Sequence, residues 1–184
     1  LCIPVAALSN DQPPISRSGN LSITEVFKDR GLQAWLLDSK NINGAGADGI
    51  LTEEECQAVT ELNLSGLGLT SLDGLSAFPN LQSLDCSKNN LTELDLSGNP
   101  ALTQLSCAYN QLSQLDVSRN TQLKYFSCSY NRLTQLDLTG HGQLISLNCE
   151  MNQLTSLKLT GCTKLLSLYC RNNLLPELDL TDNS

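Results

Sequence analysis

The stretch Leu81-Gln82-Ser83-Leu84-Asp85-Cys86-Ser87-Lys88-Asn89-Asn90-Leu91-Thr92-Glu93-Leu94-Asp95-Leu96-Ser97-Gly98-Asn99 repeats its frame 21 residues later from Leu102, then from Leu123, Leu144 and Leu165. The fourth position of this frame holds Leu84, Leu105, Phe126, Leu147 and Leu168, and the sixth holds Cys86, Cys107, Cys128, Cys149 and Cys170. Asn89, Asn110, Asn131, Asn152 and Asn173 occupy the ninth, and Leu91, Leu112, Leu133, Leu154 and Leu175 the eleventh. A period of this length marks one small structural unit that buries its apolar face only by stacking on copies of itself. In Leu-x-Cys, alternate residues share a face, so each unit contributes a short strand with both side chains inward. The asparagine column lies where the chain turns after that strand, and a buried amide there satisfies backbone groups of its own and the adjoining unit. Leu94-Asp95-Leu96 followed by Asn99 repeats the same logic in the second half, which predicts a second extended ribbon instead of a helix. The fold class is a solenoid: a right-handed coil with a parallel β-sheet along one wall.

Working outward, residues 81–184 hold five such units, and Val59 to Asn80 forms a first, atypical unit of 22 residues with Leu67 in the asparagine position. A solenoid needs a lid over the end of its core. Residues 22–58 read as that lid, a helix-loop-helix cap. Ser22 with Glu25 makes a capping box that opens a helix through Leu37, burying Ile23, Val26, Phe27, Trp35 and Leu36; Thr52 with Glu55 opens a second. Residues 1–21 form an extended leader. The chain starts at Leu1, which is compatible with a removed targeting segment, and it stops inside its fifth repeat with no capping element. The expectation is truncation, with an open edge available for self-association.

The 21-residue frame resembles leucine-rich repeats of the internalin superfamily, most closely the cysteine-ladder subtype, over residues 59–184. The resemblance implies a secreted or cell-surface bacterial protein, adhesin-like, that binds a protein or glycan. A targeting domain of a larger enzyme and an intracellular effector are the alternatives.

Composition agrees with a binding scaffold. The hydrophobic content is 40%, dominated by leucine, and aromatics are only 4%. A net charge of -8 repels nucleic acid and anionic membranes, and no apolar run approaches the roughly 20 residues of a spanning helix. Five of the eight cysteines are stacked with parallel side-chain vectors, poor geometry for disulfides, so they are expected to be buried thiols filling a narrow core. Cys2 and Cys56 are the one candidate pair. Cys162 and His141, the sole histidine, stand in the nineteenth position with Asn99, Asn120 and Asn183; both read as turn residues, and no nucleophile, base and orienter occur together.

Two groups of candidate functional residues emerge. The outward positions of the main strand and its following turn hold Lys88, Tyr109, Tyr125, Tyr130, Glu150, Met151, Tyr169 and Arg171, where rigid tyrosine rings supply contact area at low entropic cost. On the other wall, Asp95, Asp116, Asp137 and Asp179, with Lys158 in the same column, form a solvated acidic stripe. In the cap loop, Asp48, Gly49 and Glu55 follow the second half of an EF-hand, while Gly44 and Gly46 stand where its first acidic ligands belong. The loop resembles EF-hand-like caps that precede such repeats in some bacterial surface proteins. Calcium there requires an insertion that lets Asp38, Asn41 or Asn43 supply oxygen alongside Asp48 and Glu55.

Overall fold

The computed structural model describes residues 20–181; Cys2, most of the leader and the last three residues lie outside them. The cap opens with β1 (Leu21–Ser22), α1 (Ile23–Val26) and α2 (Arg30–Leu37), continues through β2 (Ile50–Leu51), which pairs antiparallel with β1, and ends with α3 (Glu53–Ala58). The single helix expected from Ser22 to Leu37 is therefore two. Ser22 makes no capping bond, whereas Asp29 Oδ1 accepts hydrogen bonds from the amides of Gly31 and Leu32 at 2.8 and 3.2 Å and starts a new helix. The extended residues between the helices carry Phe27 into the core, where it is fully buried and stacks on Phe78 with ring centroids 5.8 Å apart. Burying that ring and satisfying two helix-terminal amides outweighs one continuous turn. Trp35, expected in the core, is only half-buried. The Thr52–Glu55 capping box forms as expected.

Beyond the cap the chain winds into a coil. Its strands are β3 (Glu61–Asn63), β4 (Ser83–Asp85), β5 (Gln104–Ser106), β6 (Tyr125–Ser127), β7 (Gln135–Asp137), β8 (Ser146–Asn148), β9 (Ser156–Lys158) and β10 (Ser167–Tyr169). Six of them make one parallel sheet in the order β10-β8-β6-β5-β4-β3, and β7 pairs with β9 on a second sheet, the extended ribbon of the far wall. Register follows the repeat, with Leu62, Leu84, Leu105, Phe126, Leu147 and Leu168 aligned across the main sheet. The first step, Leu62 to Leu84, is 22 residues, so the atypical unit is accommodated without a register slip. Between the walls the leucine columns are almost wholly buried, each side chain contributing about 1.5–3 kcal/mol of apolar burial. Cys86, Cys107, Cys128 and Cys149 are unbridged thiols with no exposure.

The two asparagine columns work differently. Asn110 Oδ1 accepts from the Leu91 amide at 3.0 Å, and its Nδ2 donates to the Cys86 and Cys107 carbonyls, both at 3.0 Å; Asn131 and Asn152 repeat this set one turn on. The ninth position thus needs both a donor and an acceptor. In the nineteenth column, Asn99 and Asn120 donate through Nδ2 to two carbonyls each, while their buried Oδ1 atoms have no partner. Only a donor is used there. That explains why His141 replaces asparagine, its ring nitrogens 3.1 Å from the Leu138 and Val117 carbonyls, and why Cys162 does so with Sγ 3.2 Å from the Leu138 carbonyl.

Candidate binding face

Every strand of the main sheet turns its central residue inward, so its first and third residues face solvent. At the cap end these outward positions include Glu61 and Asp85; from β5 to β10 they are Gln104, Ser106, Tyr125, Ser127, Ser146, Asn148, Ser167 and Tyr169, all uncharged. A shallow groove of about 440 Å³ runs along β4 to β10, lined in part by Tyr125 and Tyr169.

Tyr109 and Tyr130 are placed elsewhere. They lie three residues beyond the strand, at the eighth position of the frame, where Lys88, Tyr109, Tyr130, Met151 and Asn172 all take a left-handed backbone with φ between 53° and 57°. Their amides keep the backbone ladder going: Tyr109 N–H donates to the Ser129 carbonyl and Tyr130 N–H to that of Glu150, each at 2.9 Å. This bond, together with the asparagine bonds that follow, holds each residue in a conformation that costs a non-glycine residue about 1–2 kcal/mol. The two rings stack with centroids 4.2 Å apart and planes 10° from parallel. The hydrogen bond and charge of the Tyr109 hydroxyl push the Tyr130 phenol up. Glu150 and Arg171, at the seventh position, lie between strand and ridge, half-buried and exposed respectively. Of the eight residues expected to form one patch, six thus fall on two adjoining levels, a sheet floor with Tyr125 and Tyr169 and a ridge with Lys88, Tyr109, Tyr130 and Met151, and Glu150 and Arg171 lie between them.

Sequence reasoning missed the floor, because serine and asparagine draw no attention until the strand frame assigns them outward positions. It also missed the left-handed column. The signal was present: Gly66 fills the eighth position of the first unit with φ 72°, and Asn172 that of the last, the two residue types that tolerate this conformation best.

The opposite wall carries a larger hollow of about 1750 Å³ lined in part by Asp95, Asp116 and Asp137 of the acidic stripe. Its aspartates serve their own turns: Asp95, Asp116, Asp137 and Asp179 each accept at Oδ1 from the amide two residues on, at 2.8–3.0 Å. Asp137 also pairs with Lys158 at 2.9 Å, and bonds from Thr139 and Lys158 hold its carboxyl down at about 2. In the cap loop, Asp38 and Asp48 accept from Lys40 and Ile50 amides, Asn41 donates to the Trp35 carbonyl, and Glu55 accepts from the Thr52 amide in the capping box; Asn43 lies in a left-handed turn. Among the described residues no three acidic, histidine or cysteine side chains converge as a metal set.

A family model described as leucine-rich repeats, two copies, matches residues 57–103. The functional domain of InlJ from Listeria monocytogenes, described as including a cysteine ladder, aligns with a TM-score of 0.58 and 26% identity over 92% of this chain and 47% of that one. An internalin from the same organism, InlF, aligns with a TM-score of 0.75 and 22% identity over 85% of this chain and 47% of its own. The fold is an internalin-like leucine-rich repeat solenoid. The chain spans about half the length of either structure, and no curated protein matches it. Among the described residues of this solenoid no helix is long and apolar enough to cross a membrane.

Proposed function

We propose that the solenoid is a non-catalytic binding module of a secreted or cell-surface bacterial protein, adhesin-like, which takes a protein or glycan ligand on the main sheet and its ridge. The observation that carries this reading is the concentration of all four tyrosines there, with Tyr109, Tyr125, Tyr130 and Tyr169 between 42% and 53% exposed in a chain with few aromatics. Exposed tyrosine on a rigid sheet supplies contact area at low ordering cost. The chemistry-bearing residues elsewhere are engaged in structure: His141 is held between two carbonyls, and burial, reinforced by the neighbouring thiol, pushes Cys149 up to about 12. The 21-residue cysteine column, together with the ladder named in the description of the InlJ domain, supports the cysteine-ladder subtype.

The test is an array of extracellular proteins and glycans probed with the wild type and with a variant carrying Tyr109→Asn, Tyr130→Asn, Tyr125→Ser and Tyr169→Ser. Wild-type ligands should be lost by the variant while its melting curve stays native. Ligands retained in full by the variant would place recognition elsewhere.

A further inference from the structure

The proposed binding role leaves the chemistry of the ligand open, and the floor of the sheet narrows it. Strand register puts Tyr125 beside Ser146 and Tyr169 beside Asn148. The three strands β6, β8 and β10 therefore present six outward positions in two rows: Tyr125, Ser146 and Ser167 in one, Ser127, Asn148 and Tyr169 in the other. The tyrosines stand at diagonal corners, two strands and two residues apart, a Cα separation of about 12 Å from standard strand spacing. The four remaining positions are small and polar. No lysine, arginine, aspartate or glutamate occurs among the six, in a chain of net charge -8.

Among the described residues, neither ring stacks on another, unlike the Tyr109–Tyr130 pair. Both rings are about half exposed, at 49% and 53%. The Ser146 and Ser167 hydroxyls and Asn148 Nδ2 make no hydrogen bond within the described chain, while Asn148 Oδ1 is taken by the Glu150 amide. The patch therefore offers aromatic faces, hydroxyls and an amide donor, and no charge.

We propose that this patch between Tyr125 and Tyr169 is a subsite for a neutral saccharide unit. A pyranose presents a face of C–H groups that packs on the negative face of an aromatic ring, and hydroxyls around its edge that suit short serine and asparagine partners at hydrogen-bond distance. Two rings flanking a small polar floor supply both halves of that recognition. A sialylated or sulfated glycan finds no cation among the six positions and meets the repulsion of an acidic chain. A protein epitope would draw instead on the charged margin at Lys88, Glu150 and Arg171 and on the stacked ridge.

This inference rests on the binding-module reading, and the experiment separates the two. The intact chain is titrated calorimetrically with neutral oligosaccharides, β1,4-linked N-acetylglucosamine and galactose-terminated oligomers, and with sialylated and sulfated counterparts. Proteins from the extracellular array are displayed before and after enzymatic deglycosylation. Neutral oligomers should bind, Tyr125→Ala and Tyr169→Ala should each weaken them at least tenfold with unchanged melting curves, and Gln114→Ala, exposed on the opposite wall, should change affinity less than twofold. Preference for the anionic series overturns the proposal, as does saccharide binding indifferent to Tyr125 and Tyr169. Binding only to deglycosylated protein, lost in Tyr109→Asn, overturns the saccharide subsite and leaves the binding module standing. Absence of any tyrosine-dependent ligand in both arms removes both.

Discussion

Replacing Asn131 by alanine should cost far more than replacing Asn120 by alanine, although both remove a buried asparagine from a turn of the same coil. At Asn131 the Leu112 amide loses its acceptor, while the Cys107 and Cys128 carbonyls each keep a second asparagine donor, from Asn110 and Asn152. One orphaned buried amide costs about 1–3 kcal/mol and two lost bonds about 0.5–1.5 kcal/mol each, which places the change near 3 kcal/mol. At Asn120 the Leu96 and Asn99 carbonyls retain backbone donors, the amides of Asn99 and Leu102. No amide is orphaned there, and the unpartnered Oδ1 is removed along with the side chain. Relief of that buried acceptor offsets the two lost bonds, leaving roughly 1 kcal/mol or less. For a chain of this size the difference corresponds to about 4–8 °C in melting midpoint. Urea and thermal unfolding followed by circular dichroism measure both variants, with Asn120→Cys as a third that keeps a weak donor and should lie close to wild type. Equal losses at the two positions would refute the division of labour between the columns.

Further expectations concern the core, the cap and the loop. Burial first, and then the adjacent thiol, push Cys107 and Cys128 well above the ordinary thiol range; at Cys149 the rise to about 12 cuts the thiolate fraction about 1000-fold. Labelling of these three thiols near pH 8 should therefore be slow in the folded protein and fast in urea, and their rapid native labelling would contradict the packing. A Cβ on Gly98 would lie 2.5 Å from Ser76 Cβ and 2.9 Å from its Cα, so Gly98→Ala should destabilise by about 1–3 kcal/mol, with Ser76→Gly recovering part of it. Burial raises the Asp29 carboxyl, but bonds from Thr70, Leu32 and Gly31 outweigh it and leave the group lowered. Its stabilisation is present above the unfolded value of about 4 and is lost as pH falls through the folded one. Asp29→Asn should accordingly flatten the acid limb of the stability profile, and an unchanged slope would count against the cap contact. Excess calcium should leave the melting midpoint where chelator leaves it; a rise of several degrees would mean that the loop oxygens abandon their present bonds for the ion.

The coil was legible because its determinants are periodic: apolar positions at fixed intervals dictate strands, walls and register before any contact is known. The second ribbon followed from the same periodicity, although it pairs as strands only at Gln135–Asp137 and Ser156–Lys158 and not at Leu94-Asp95-Leu96. The cap was less legible because its break at Phe27–Asp29 depends on a partner 41 residues away, where Asp29 Oδ2 binds the Thr70 amide and hydroxyl at 2.8 and 3.0 Å. A local capping pattern at Ser22 carries no information about that contact. For the face, the sequence placed the tyrosines outside but merged two rows into one, since side-chain direction at the eighth position is set by a left-handed backbone that a period of alternation does not encode.

That left-handed column separates two things usually entangled in a binding surface. The side chains at the eighth position are aimed by their own backbone, and that backbone is fixed by main-chain amides and by the asparagines that follow. Lysine, tyrosine, methionine and asparagine already alternate there without disturbing the leucines beneath. In the proposed binding role the ridge is a row of type set in a rigid frame, so recognition can be rewritten one turn at a time at little cost to the coil beyond the Tyr109–Tyr130 stack.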